Sequence, residues 1–310
     1  MVKFVLQRFT GCVGVLLAIS LLAHVLIYLA PGDPAVIILA QRIGQLPNPE
    51  QVDQLRKEYG LDGPPIMQYF SWLGQAIQGN FGYSIRTGNP VLEEIQLRLG
   101  PTLLLAGVTT SLAVILGLPI GFLAAWRKNS FWDHVTRTIA LLGVSIPNFW
   151  LAFLLILVFS ITLRWLPTHG IGEIKHLILP VVCLGLADMS RLSRLVRSGF
   201  IEIQHEEYLL AARAKGLHRH TAWLRHGIPN IAVPLITVIA TQFSYIVAGS
   251  VIIETLFAWP GIGNLYITSV NYRDIPVIQT MLLSFGAVFV VLNFVADLAY
   301  VAIDPRIRLK

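Results

Sequence analysis

The chain has 310 residues, of which 55% are hydrophobic and only 13% charged, with a net charge of +6. Soluble domains carry about 25% charged residues, so a length that would allow two of them describes a polytopic membrane protein instead. Cys12 and Cys183 both fall in apolar runs, which argues against a disulfide framework, and the basic residues flank apolar runs rather than forming a nucleic-acid patch.

Lys3 and Arg8 precede an apolar run that continues to about Ala30. The run is too long for a signal-peptide core and Leu29-Ala30-Pro31 is a poor cleavage site, so the sequence predicts an uncleaved first span with a cytoplasmic N-terminus. His24, inside that span, is expected to face a neighbouring helix. Pro31-Gly32-Asp33-Pro34 ends the span sharply. Residues 32–100 are polar enough to leave the bilayer. Asn48-Pro49-Glu50-Gln51 offers an N-cap, an N1 proline and a capping-box glutamine, for a helix that stops at Gly60. A second helix starts near Pro65, with Ile66, Tyr69, Phe70, Leu73 and Ile77 on one apolar face. A third starts at Asn89-Pro90 and ends near Leu99. These pieces are expected to form a helical extracytoplasmic cap on the bundle. The alternative is that they lie on the membrane surface.

Five more spans are predicted: 102–126 with a kink at Pro119, 138–163 containing Pro147, 176–190, 231–257 and 276–303. The fourth span overall is interrupted by Pro180 and Asp188, and reaches full length only by extending through Arg191 and Arg194, which would snorkel to the interface. The expectation is an all-α integral membrane protein with six transmembrane helices, divided as 1–31, 32–100 and 101–310. With both termini cytoplasmic, most of the 23 Lys and Arg fall inside, and the short outer connections hold only Arg164, Lys175 and Arg273.

Between the fourth and fifth spans lies a polar, Ala-rich stretch at about 205–217. Glu207, Tyr208, Ala211, Ala212, Arg213, Ala214 and Lys215 are good helix formers or tolerated ones, and Gly216 is a natural stop at C′. Tyr208, Ala211, Ala212 and Lys215 recur at three- and four-residue spacing, which predicts a shared face whose methyl side chains let a partner approach closely. It reads either as a cytoplasmic docking helix or as a solvated loop helix.

No catalytic set stands out. No lysine follows a glycine, so a Walker phosphate loop cannot occur, and there is no His-Glu-x-x-His. His218, His220 and His226 lack a Cys or carboxylate to complete a metal set, and no metal site is assigned. Asp188 and Glu254 are costly in lipid and are candidates for a translocation path or for structural pairs. His169 and His176 are candidates for its outer mouth.

The whole chain resembles the permease subunits of bacterial ATP-binding-cassette importers, in the dipeptide/oligopeptide/nickel/glutathione family. The stretch from Glu207-Tyr208 through Ala211-Ala212-Arg213-Ala214-Lys215-Gly216 is similar to that family's coupling loop, with Leu210 where a Glu usually stands. Pro31-Gly32-Asp33-Pro34, Phe81-Gly82-Tyr83-Ser84, the run from Glu254 to Gly263, Arg273-Asp274-Ile275-Pro276 and Asp304-Pro305-Arg306 follow in family order. The resemblance implies a multi-pass protein of the bacterial inner (cytoplasmic) membrane. It implies pairing with a second homologous permease, two ATPase subunits that hold ATP and Mg, and an extracytoplasmic solute-binding protein, with no cofactor on this chain and no nucleic acid. Ser145-Ile146-Pro147-Asn148-Phe149-Trp150 and the short connection 165–172 look more like nickel- and glutathione-type members. The rival readings are an intramembrane enzyme using Asp188 and a His, and a channel or scaffold without ATPase partners.

Overall fold

The computed structural model describes residues 2–29, 33–43, 45, 47–58, 63–204, 206–222, 225 and 227–303. Among these residues the regular elements are all helices, joined by turns and loops, with one isolated bridge between Tyr83 and Pro90. Five helices are long and apolar enough to cross a membrane, or six if one bent pair is a single span.

The first span is α1 (Val2–Leu29). Three short helices follow, α2 (Pro34–Ile43), α3 (Pro49–Glu58) and α4 (Pro65–Ile77). α2 and α3 enclose a small core of Ala35, Val52, Leu55 and Ile85. An ion pair between Asp33 and Arg56 closes it, with Asp33 also accepting from the Ala35 amide at 2.9 Å. Partial burial raises the Asp33 pKa, but the Arg56 and backbone hydrogen bonds outweigh it and hold the carboxyl below its ordinary value.

α4 differs from its expected packing. Only Tyr69 is buried, and its hydroxyl shares a hydrogen bond with that of Ser20 at 2.8 Å, while Ile66, Phe70 and Ile77 are exposed. Beside it, buried His24 donates from Nε2 to the Pro65 carbonyl (3.0 Å) and faces Gln279 of the last helix through Nδ1 (3.5 Å). One aromatic and one imidazole thus pin α4 to the bundle. Leu73 is half-buried, and Ile66, Phe70 and Ile77 stay outward, as on a helix that lies in a membrane interface.

The third extramembrane helix and the second span prove continuous. α5 (Val91–Trp126) runs 36 residues, about 54 Å, past Pro101 and Pro119. Its Gly117 and Gly121 lie against the backbone and side chains of α8 (Ile174–Ile203). A Cβ built on Gly121 would stand 2.4 Å from the Ser193 carbonyl oxygen. This is the small-xxx-small contact that lets helix backbones approach in a bilayer. α8 is the central helix: 61% of its most apolar stretch is buried, against 17–29% in the other spans. It extends through Arg191 and Arg194 as expected.

The third span is bent rather than straight. α6 (Phe131–Ser145) and α7 (Asn148–Leu155) meet at 102°, and α7 continues as a π-helical segment, Ile156–Thr162. Pro147 forces the bend: it disfavours helical geometry at Ile146, which is extended (φ −82°, ψ 123°). Two short helices, α9 (Glu207–Ala214) and α10 (Arg219–Ala222), follow α8. The fifth span divides at Ser250 into α11 (Ile228–Gly249) and α12 (Val251–Leu256), then α13 (Ile262–Asn271) and the last span α14 (Ile275–Ile303) complete the described chain. The family-like segment Asp304-Pro305-Arg306 lies outside the described residues, as do Pro31 and Gly32.

Two main cores result. The larger gathers Trp259, Phe257, Leu105, Ile253 and Met281 at the end of the bundle near α12 and α13, here called the cap end. The smaller gathers Val196, Phe200, Leu209, Ala212 and Ile231 at the α9 end.

Candidate functional site

α9 begins where the Glu206 carbonyl accepts the Leu209 and Leu210 amides (3.0 and 3.2 Å). It ends at Gly216, whose φ of +89° is the left-handed conformation expected at C′. The Leu217 amide returns to the Ala212 carbonyl at 3.2 Å, which is the six-to-one bond of a Schellman stop. The predicted helix and its terminator are both present.

Its orientation differs from the predicted shared face. Ala212 is buried at 7% exposure together with Leu209 at 2%, while Ala211, Ala214 and Lys215 are exposed. Adjacent positions on a helix point about 100° apart, so Ala211 and Ala212 separate once Leu209 and Ala212, three residues apart, turn inward. They join one buried core with Ala125 at the end of α5, Val196, Phe200 and Ile203 of α8, Ala222 of α10 and Ile231 of α11. One short helix thus shares a core with the ends of three spans. The free face carries Glu207, Tyr208, Leu210, Ala211, Ala214 and Lys215. Partial burial, and then the neighbouring Glu206 charge, push the Tyr208 phenol above its ordinary pKa, which keeps it a neutral donor. The side chains of Arg213 and His220 and all of His226 lie outside the described residues.

Beside this seat is a buried ion pair that the sequence reading missed. Asp133, fully buried in the first turn of α6, receives both Nε and Nη2 of Arg197 on α8, at 2.6 and 2.8 Å. The Asn129 amide adds a third bond at 2.9 Å. A bidentate guanidinium fork is the strong form of this contact. It ties the connection before α6 to the same stretch of α8 that carries α9.

At the cap end, Glu254 is fully buried. Its Oε1 accepts the hydroxyls of Thr102 (2.7 Å) and Ser250 (2.9 Å), and its Oε2 accepts the Asn264 amide (3.1 Å). Asn264 lies in the first turn of α13, whose preceding Gly261 has no side chain to cap it, so Glu254 supplies the cap from another helix. Thr102 also accepts the Ile262 amide at 2.9 Å. A Cβ on Gly261 would stand 2.4 Å from the Glu254 carboxylate, so the knot closes only around glycine. Ala258 turns the chain at φ +45°, and Trp259, 1% exposed, donates to the Pro101 carbonyl at 3.0 Å. Glu254 therefore clasps its surroundings through three donors. Asp274 makes a second knot: it accepts Ser84 Oγ (2.5 Å) and the amides of Ile85 (3.0 Å) and Arg86 (3.3 Å).

The other candidates stand apart. Asp188, buried on α8, pairs with Arg191 at 3.1 Å, and its carbonyl lies 3.4 Å from Gln242 Nε2 of α11. His176 reciprocates with Glu173 as a capping box opening α8, accepting the Glu173 amide at 3.2 Å. His169 is exposed and bonded to Thr168 at 2.7 Å. Among the described residues no three His, Cys, Asp or Glu side chains group as a metal site.

The chain is similar to known proteins. The family described as "Binding-protein-dependent transport system inner membrane component" matches residues 117–309. Its N-terminal companion, "Binding-prot-dependent transport system membrane comp, N-term", matches residues 1–106. The glutathione transport system permease protein GsiC of Escherichia coli (strain K12) is 38% identical over 310 residues, covering 100% of both chains. That of Salmonella typhi is 39% identical over the same span. A solved structure described as inward facing conformations of the MetNI methionine ABC transporter aligns with a TM-score of 0.56 at 19% identity. It covers 68% of this chain and 96% of that one, a likeness of fold alone.

Proposed function

The chain belongs to the family of binding-protein-dependent transport system inner membrane components, multi-pass permeases of the bacterial inner membrane, and from that premise we propose that it forms, with a second homologous permease, the path of an ATP-driven importer for peptides, glutathione-like thiols or nickel and other metal chelates. Two ATPase subunits, carrying ATP and Mg, dock on α9 from the cytoplasm, and an extracytoplasmic solute-binding protein delivers the substrate to the cap end. The full-length likeness to glutathione permeases supports glutathione as the first substrate to test.

The observation that carries the reading is the seat of α9. An eight-residue helix, stopped by Gly216, shares one buried core with the ends of α5, α8 and α11 and leaves Glu207, Tyr208, Ala211 and Lys215 exposed towards another protein. Closure of the ATPase pair would push α9, and α9 would move three spans together as a rigid body. This chain has no phosphate loop of its own, which fits an engine on separate subunits.

The test is uptake by the reconstituted complex in proteoliposomes. Glutathione should accumulate only with ATP and the binding protein. Gly216→Leu places a side chain at φ +89°, where L-residues are strained, and should leave ATP hydrolysis running while import falls. Uptake independent of ATP would support a channel, and unchanged import by Gly216→Leu would remove the coupling role.

A further inference from the structure

Between α6 and α8, at the α9 end, lies an open cleft of about 870 Å³ lined by Arg137, Arg191, Arg194 and Arg197, with His134 and Ser198 at its rim. Its charge is only half compensated. Asp133 is taken up by Arg197 and Asp188 by Arg191. Arg137 and Arg194 are exposed, and among the described residues no carboxylate lies within ion-pair distance of either. Four guanidinia against two carboxylates leave two positive charges facing one concavity.

The cleft's depth is marked independently. Phe131 (74% exposed) and Trp132 (53% exposed) open α6, one to two turns from Arg137. Exposed aromatics at the end of a span belong to the membrane–water interface. From Arg197 to Arg191 the helix rises about 9 Å, comparable with the thickness of a headgroup layer and the start of the chains below it. Leu141 and Leu195 line the same cleft and offer an apolar wall. Planar guanidinium forks match the paired oxygens of a phosphate better than they match any neutral headgroup.

We propose that this cleft binds phosphate chemistry, supplied by the headgroup of an acidic phospholipid in the leaflet on the α9 side, with Arg137 and Arg194 as its principal ligands and Leu141 and Leu195 beside its acyl chains. The site is distinct from the free face of α9 and from both carboxylate knots. Basic pockets between spans on this side of a membrane favour anionic headgroups. A bound lipid would bridge α6 to α8 next to the Asp133–Arg197 pair, and so bear on the stretch of α8 that α9 moves.

The experiment uses the full complex with its partner subunits. Binding of short-chain phosphatidylglycerol, phosphatidylcholine and inorganic phosphate is measured separately by native mass spectrometry and by titration in detergent. Parent protein should retain phosphatidylglycerol in preference to phosphatidylcholine, and inorganic phosphate should displace it only weakly. Removing each guanidinium near a membrane surface should weaken binding about 5-fold, so Arg137→Gln with Arg194→Gln should lose about 25-fold. Both side chains are exposed, and an unchanged unfolding temperature confirms that the variants fold. Should the pair fail to fold, Arg137→Lys and Arg194→Lys taken singly keep the charge, lose the fork and should weaken binding less. Equal retention of the two lipids by the parent, or equal phosphatidylglycerol binding by parent and variants, would overturn the site. Full displacement by inorganic phosphate would overturn the lipid as its source.

Discussion

At the cap end, one carboxylate gathers donors from three separate places, Thr102, Ser250 and Asn264, and a second gathers Ser84, Ile85 and Arg86. At the α9 end, Leu209 and Ala212 share an apolar core with Ala125, Phe200 and Ile231. Buried hydrogen bonds have one good geometry and are costly to stretch, because each freed donor has no water to turn to. Apolar packing is not tied to one hydrogen-bond geometry, so that end of the bundle can shift as a body. On the proposed coupling, the cap end is the frame and α9 the moving part, with the bidentate Asp133–Arg197 pair at the moving end's border.

The comparison can be broken first at Glu254. Glu254→Ala would strand two hydroxyls and the Asn264 amide in the interior, and should cost about 5 kcal/mol. Thermal unfolding in detergent should show a large loss, and a drop under 1 kcal/mol would mean that the knot does not hold the frame. Asp133→Ala comes next. Removing one partner of a buried pair leaves Arg197 uncompensated, at a cost of about 3 kcal/mol. Asp133→Ala combined with Arg197→Met should recover much of that stability, and a double variant no better than the single one would deny the pairing its role.

The smallest effect is in the α2–α3 core. Asp33 is held below its ordinary pKa, so its contribution is full above the unfolded value, about 3.9, and is lost as pH falls through the lower folded value. Protease sensitivity of the Pro34–Glu58 segment should therefore rise only under strongly acid conditions, before the spans unfold. A rise already near neutral pH would contradict the Asp33–Arg56 clasp.

Much of this organisation was legible in the residues. Apolar runs gave the spans, and the stretch ending at Gly216 gave both α9 and its stop. What the sequence hid was rotation and distance. Periodicity puts Ala211 and Ala212 near one face of a helix, but only the neighbouring spans decide which of them turns inward. Asp133 and Arg197 are 64 residues apart, and no local pattern links them. Glu254 showed itself as an acid in an apolar run, suggesting a path, because only Ser250 of its three donors lies within one turn and Thr102 is 152 residues away. Gly117-x-x-x-Gly121 was readable as a close helix contact and is the signal that would have placed α5 against α8. The bend at Pro147 and the continuity through Pro101 show that proline's consequence depends on its surroundings. Ile146 is free to extend, whereas Pro101 sits where its carbonyl holds Trp259.

The most direct test of the lever is site-directed cross-linking in the assembled complex, with single cysteines placed by Ala211→Cys and Ala212→Cys and a short thiol-reactive cross-linker. The structure predicts that position 211 links to an ATPase subunit and that position 212, 7% exposed and facing the bundle, does not. Linkage from position 212 with none from position 211, or from neither, would contradict the account.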